Sequence, residues 1–341
     1  MDAGVASLTL RRVATATDVE TARATTDQLR PTPTAERKRQ RSAMSKRSRS
    51  GEPKAATDRL LFETDGGLLF ECLPGSADEV EFLYEEIFTR QSYLQHGVGI
   101  RRGGAPCNII DAGANVGLFS LHALQLRADA STRIVAVEPS PSAHAVLERN
   151  LSRWPGCRCV QALLSDRPAA ARTLHCYASA PAESTSHPAE RRRQRACLRR
   201  AADALRPTAP TEEEEAADDE AATLATVPAT TVSQLIEDSG FARVDLLKVD
   251  VEGDELRVLR GVAARHWPLI AQVVCEVHDV HGRLQRVCAL LRRHGLRVVV
   301  EAQAGGTVDG YEMCIPAALR LHYVYASRPP ASGGSSSTRV S

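Results

Sequence analysis

Between residues 107 and 153 the hydrophobic pattern alternates between two periods. Residues 107–111 are a short, mostly apolar run ending in an acid, which predicts a buried strand, and residues 116–126 carry apolar side chains at helical spacing. Residues 133–138 repeat the strand and residues 142–153 the helix. Further strands are predicted at 158–164, 244–249, 270–277 and 297–300, with helices at 255–260 and 283–294. Apolar strands interleaved with helices imply an α/β fold with a mostly parallel sheet covered on both faces, because only that arrangement buries both sides of each strand. Residues 311–313 and 321–326 would supply a last, antiparallel edge pair. Ahead of the core, residues 80–88 have helical spacing that continues toward Tyr93 and Leu94. The segment is either a lid over a ligand crevice or packed core; Phe82, Ile87 and Phe88 are expected in the core, whereas Tyr84 and Tyr93 suit either a pocket wall or a wet core edge.

Other stretches lack either period. Residues 1–56 are rich in Arg, Ser, Thr and Ala and are expected to be a disordered basic tail; its end, Arg37 to Arg41 with Lys46, Arg47 and Arg49, is either a solvated tail or a targeting or nucleic-acid signal. Residues 57–328 are then the folded domain, and 329–341, rich in Ser, Gly and Pro, a frayed end. Within the domain, residues from about 178 to 226 combine a basic cluster (Arg191, Arg192, Arg193, Arg195, Arg199, Arg200) with an acidic run from Glu212 to Glu220. They read as a low-complexity charged insertion, with at most a short helix at 198–205.

A net charge of +1 gives the core no electrostatic reason to bind nucleic acid. The nine cysteines include no C-x-x-C pair, the N-terminus has no apolar leader, and no apolar run is long enough to cross a bilayer. The expectation is an intracellular, cytoplasmic protein with reduced thiols, unless the basic tail directs it to the nucleus or an organelle. No metal ligand is assigned, and the oligomeric state is not readable.

Candidate chemistry begins at the first strand. Asp111-Ala112-Gly113-Ala114-Asn115-Val116-Gly117 is a strand-ending acid followed by a small-residue turn into a helix. Gly113 lets the chain bend sharply, Gly117 lets the helix pack closely, and Asn115 is placed to cap backbone N–H groups. A dinucleotide needs a G-x-G-x-x-G turn, and here the two glycines are separated by three residues. A carboxylate at Asp111 fits a cofactor with a cationic amino-acid end. Glu138 ends the next strand, where it is either a ribose acceptor or an ordinary surface acid.

Three segments resemble the FkbM-type methyltransferases: residues 110–117, residues 136–139 and Leu247-Lys248-Val249-Asp250-Val251-Glu252-Gly253-Asp254-Glu255 with Leu259-Arg260-Gly261. Residues 231–236 and Glu276-Val277-His278 are also similar. The resemblance implies a Rossmann-like fold and methyl transfer from S-adenosylmethionine (SAM), usually to oxygen. It also implies that Asp111, Gly113, Asn115, Gly117 and Glu138 contact the cofactor, with Ser165 and Asp166 at the adenine. Asp166 serves equally well as a turn cap.

At the reactive end, Lys248, Asp250 and Glu252 alternate along a strand and so share a face. Asp250 and Glu252 are the candidate bases, Lys248 holds their charge, and a purely structural ion pair is the alternative. Glu276 and His278 repeat the pattern on the next strand, which makes His278 the second candidate base. The acceptor is expected to be a hydroxyl of a small molecule or glycan. A non-catalytic SAM-fold interaction protein and an NAD(P)-dependent oxidoreductase are the alternatives, the latter disfavoured by the glycine spacing.

Overall fold

The computed structural model describes residues 10–13, 60–64, 66–101, 106–127, 131–178, 180–205, 222–303, 306–308, 311–313 and 319–329. The strands are β1 (Leu10–Val13), β2 (Leu60–Thr64), β3 (Leu69–Cys72), β4 (Cys107–Ala112), β5 (Thr132–Val137), β6 (Cys157–Val160), β7 (Leu163–Leu164), β8 (Ala169–Cys176), β9 (Thr223–Thr230), β10 (Leu246–Val249), β11 (Gln272–His278), β12 (Arg297–Ala302), β13 (Gly306–Val308), β14 (Tyr311–Met313) and β15 (Leu321–Ser327). The α-helices are α1 (Ala77–Tyr84), α2 (Leu118–Arg127), α3 (Pro141–Leu151), α4 (Pro188–Leu205), α5 (Val232–Ser239), α6 (Glu255–Arg260) and α7 (Arg283–Arg293).

Seven strands form the central sheet in the order β12-β15-β11-β10-β4-β5-β6. Neighbours from β11 to β6 run parallel, and β15 is antiparallel to both β11 and β12. This is the expected Rossmann-like α/β sheet. Along β4, Ile109 and Ile110 point to opposite faces, and both are fully buried. Ile109 joins a core with Phe119, Leu121 and Leu147 from α2 and α3, and Ile110 one with Leu235, Ile236 and Leu291 from α5 and α7. Burying each such side chain contributes about 1.5–3 kcal/mol. Local signals set the helix ends: Thr231 Oγ1 accepts from Gln234 N at 3.1 Å to start α5, and Gly240, at φ 62°, stops it. Pro141 opens α3 in its first turn.

The order reverses at β4, with β5 on one side and β10 on the other, so a crevice opens beyond their C-terminal ends. Register decides what meets there. Lys248 pairs with Asp111 across β10 and β4, and Val249 with Cys275 across β10 and β11, so the next residues, Asp250 and Glu276, emerge side by side. Antiparallel pairing sets Tyr323 opposite Glu276.

Several expectations need correction. Strand β15 does not pair with β14 at the edge; it lies between β11 and β12, and β14 pairs with β13 instead. The predicted strand at 158–164 is two short strands, β6 and β7, in different sheets. Within the stretch expected to be a disordered tail, β1 pairs antiparallel with β2. The charged insertion holds an 18-residue helix, α4, and its far side is β9, paired with both β7 and β8. The acidic run, the basic cluster before residue 50 and the chain from 330 onward lie outside the described residues. No described helix is long and apolar enough to cross a membrane.

Candidate active site

A cleft opens at the reversal point, walled by the turn after β4, the ends of β5, β10 and β11, helix α1 with the π-helical turn Glu85–Thr89 that continues it, and residues 181–186. Gly113 explains why the β4 turn comes so close to β10. It sits at φ 77°, and a Cβ there would lie 1.6 Å from the Asp250 carbonyl oxygen. Gly117, at φ 97°, has a different role: its Cβ would meet Leu147 Cδ1 at 2.8 Å, so it sets the approach of α2 to α3 and does not line the cleft.

Glu138 lines the cleft and is anchored by main chain, since its carboxylate accepts from Asn115 N at 2.9 Å and Ser140 N at 2.8 Å. Burial pushes its carboxyl up to about 7 despite those two donors. Asn115 also lines the cleft, at φ 47°. Its side chain makes no helix cap, because Oδ1 is buried without a hydrogen-bond partner. Asp111 stands behind this wall. It is fully buried, accepts from Ser120 Oγ at 2.7 Å and lies 3.4 Å from Lys248 Nζ, so it faces Lys248 and not the cleft. Ser165 and Asp166 are not brought to the cleft either. Ser165 Oγ donates to Asp166, which pairs with Arg257 at 3.2 Å, and the wall at the end of the third strand is Ala162, Leu163 and Leu164.

On the β10 side, Lys248 Nζ donates to Gly113 O at 2.8 Å and is ion-paired with Asp250 Oδ2 at 3.2 Å and Asp111 Oδ1 at 3.4 Å. Burial works against its charge, but Asp250 and Asp111 outweigh it and its pKa rises. Tyr93 OH lies 3.0 Å from Asp250 Oδ2 and 3.3 Å from Glu276 Oε2. Glu252 lines the cleft, yet it lies past the end of β10 at φ 51°, so strand alternation does not place it. Burial and the nearby Asp250 and Glu276 hold its carboxyl well above the usual range. His278 is absent from the wall; its ring nitrogens lie 3.7–4.0 Å from Glu276, Glu252 and Glu255, beneath the floor.

Sequence reasoning missed four further parts of the wall. Glu79 and Glu86 come from α1 and the π turn, and burial pushes them up to about 7 and about 8. Gln303 donates to Glu86 Oε1 at 3.1 Å and to Tyr323 OH at 2.8 Å, and Tyr323 also donates to Glu86. Phe82 and Ile87, expected in the core, line the cleft, while Phe88 stacks on Tyr84 away from it. Residues 181–186 are clasped from outside, with Ala182 N donating to Glu79 Oε1 at 2.9 Å, Thr185 Oγ1 to Glu252 O at 2.6 Å, and His187 Nε2 lying 3.0 Å from Asp254 Oδ1.

The charge is one-sided. Among the described residues lining the cleft, Glu79, Glu86, Glu138, Glu183, Asp250, Glu252, Asp254 and Glu276 are acids, and Lys248 is the one cation, already spent on Asp111 and Asp250. Such a cleft offers carboxyl acceptors to a cationic ligand and no spare cation to a pyrophosphate, and its attraction for a cation grows as the raised carboxyls ionise.

Residues 111–298 match the methyltransferase FkbM domain. The chain is 39% identical over 236 residues to the 31-O-demethyl-FK506 methyltransferase FkbM of Streptomyces tacrolimicus, covering 66% of this chain and 85% of that protein. It is 36% identical over 236 residues to the methyltransferase sdnD of Sordaria araneosa, covering 64% and 83%. With methyltransferase 1 of Beauveria bassiana it shares 32% identity over 231 residues, covering 67% and 85%.

Proposed function

We propose, since this chain belongs to the FkbM-domain methyltransferases, that its cleft supports methyl transfer from SAM to a hydroxyl group of a small molecule or glycan. The chain is a SAM-dependent methyltransferase. Where the cofactor sits and what it methylates are the finer reading, carried by the one-sided charge of the cleft. When bound, SAM supplies a methyl group on a positively charged sulfur.

The residues present fit that group. Glu138 has lone pairs left for ribose hydroxyls, because each carboxylate oxygen is used by only one backbone N–H. Asn115 Oδ1 is a second acceptor beside it. Asp111 acts on the cleft through Lys248, which it helps hold against the Gly113 carbonyl. Ala162, Leu163 and Leu164 offer an apolar surface for a base. The Asp250 carboxylate, ion-paired with Lys248 at 3.2 Å, lines the side of the cleft that faces the sulfonium.

Oxygen as acceptor is supported by the Streptomyces relative, a 31-O-demethyl-FK506 methyltransferase, and by carboxylates on the β10–β11 side that can take a hydroxyl proton. A labelled-methyl screen with SAM, the purified chain and a panel of neutral polyols, macrolides and glycosides tests this. Label retained as a methyl ether supports it; label found only on amines or carbon rejects oxygen.

A further inference from the structure

Tyr93 is 2% exposed, and its ring is locked edge-on between Phe119 and Tyr323, with centroids 5.7 and 5.6 Å away. Its hydroxyl stands between two carboxylates, 3.0 Å from Asp250 and 3.3 Å from Glu276. A phenol has one proton and cannot donate to both. Asp250 is the nearer and is the one paired with Lys248, so it is the anion that accepts from Tyr93. The second contact is then made by a proton on Glu276, donated to the phenol oxygen. The groups facing Glu276 agree: Glu86 and Tyr323 from the π turn and β15, Asp250 and Glu252 past the end of β10, and His278 Nε2 at 3.7 Å, with Lys248 the nearest full cation. Burial and Asp250 push the Glu276 carboxyl up to about 8, against the pull of Lys248.

We propose that Tyr93 is a positioning residue that joins Asp250 and Glu276 into one proton-sharing pair, and that Glu276 is the member that receives the acceptor's proton. The inference rests on the hydroxyl-acceptor reading above. In the step, the acceptor oxygen forms its bond to the methyl carbon, the electron pair of the old carbon–sulfur bond stays on sulfur, and the O–H proton passes to the Glu276 carboxylate. Asp250 is already engaged by the Lys248 ammonium and the Tyr93 hydroxyl, and His278 is not part of the cleft wall.

Infrared difference titration of the ligand-free full chain tests the pair. The protonated-carboxyl stretch that Glu276→Gln removes should vanish from the wild type as pH rises through about 8, and in Tyr93→Phe, which lacks the phenol oxygen that accepts the Glu276 proton, it should vanish about one pH unit lower. An identical band in wild type and Glu276→Gln near neutrality, or an unshifted titration in Tyr93→Phe, overturns the proposal. In labelled-methyl transfer the wild-type rate should rise over the same pH range, Glu276→Gln should lose about a hundredfold or more, and Tyr93→Phe should shift the rise to lower pH. Wild-type turnover and pH profile in Glu276→Gln overturn the proton-receiving role. Calorimetry with SAM on the same samples separates the two readings: a wild type that fails to bind counts against the cofactor site, while the infrared titration still decides the pair.

Discussion

The two halves of the cleft hold their acids in different ways. On the β4–β5 side Glu138 is fixed by the backbone N–H groups of Asn115 and Ser140, donors that cannot rotate away. On the β10–β11 side Asp250 and Glu276 are held by side chains from distant segments, Lys248 and Tyr93. A main-chain anchor makes a fixed receptor that suits a constant ligand. A side-chain network can redistribute protons, which suits chemistry at a variable acceptor. The acids span both halves, but among the described residues lining the cleft only the second half holds a cation, Lys248.

The largest effect expected from breaking this arrangement is at Lys248. Lys248→Met leaves the fully buried Asp111 and the half-buried Asp250 without their shared ammonium and should cost about 3–5 kcal/mol in denaturant unfolding. A loss under about 1 kcal/mol would mean that the two acids are stabilised by something else. On the other side, Glu138→Ala should leave the fold intact and weaken SAM binding about tenfold to a hundredfold, the worth of hydrogen bonds to a charged acceptor. Unchanged affinity in calorimetry would remove Glu138 from the cofactor site.

A pH titration sharpens the same contrast. Glu138 is raised to about 7 by burial, so below that pH the free cleft carries protons that a cation must displace. Affinity for SAM should therefore rise about tenfold from pH 6 to pH 8, with protons released on binding, and level off above. Flat affinity, or proton uptake in buffers of different ionisation heat, would contradict the assignment. The smallest effect is expected at Asp166, which pairs with Arg257 outside the wall: Asp166→Asn should change SAM affinity by less than about twofold. A tenfold loss would return it to the cleft.

The β4–β5 half was readable because it is contiguous: a strand, a turn and a strand end place Gly113, Asn115 and Glu138 within a short span. Lys248 was also readable from strand alternation, and Asp250 follows directly on the strand end, where its N–H still bonds to Ala112 O at 3.0 Å. Glu252 reaches the wall for a different reason, since β10 ends at Val249. Tyr93, Glu86, Gln303 and Tyr323 meet only through the sheet register and the packing of α1, and no local period reports that. Helix α4 had a signal that charge obscured, since residues 188–205 are mostly Ala, Arg, Leu and Gln, with no Gly and with Pro only at the start. Strand β1 is four residues long and pairs with a segment some fifty residues away, so nothing nearby marks it.

Calorimetric titration of the purified full chain with SAM and, separately, with NAD tests the central claim most directly. An acidic cleft built for a sulfonium nucleoside predicts one SAM bound per chain and no heat with NAD. Heat with NAD, or none with SAM from properly folded protein, would contradict it.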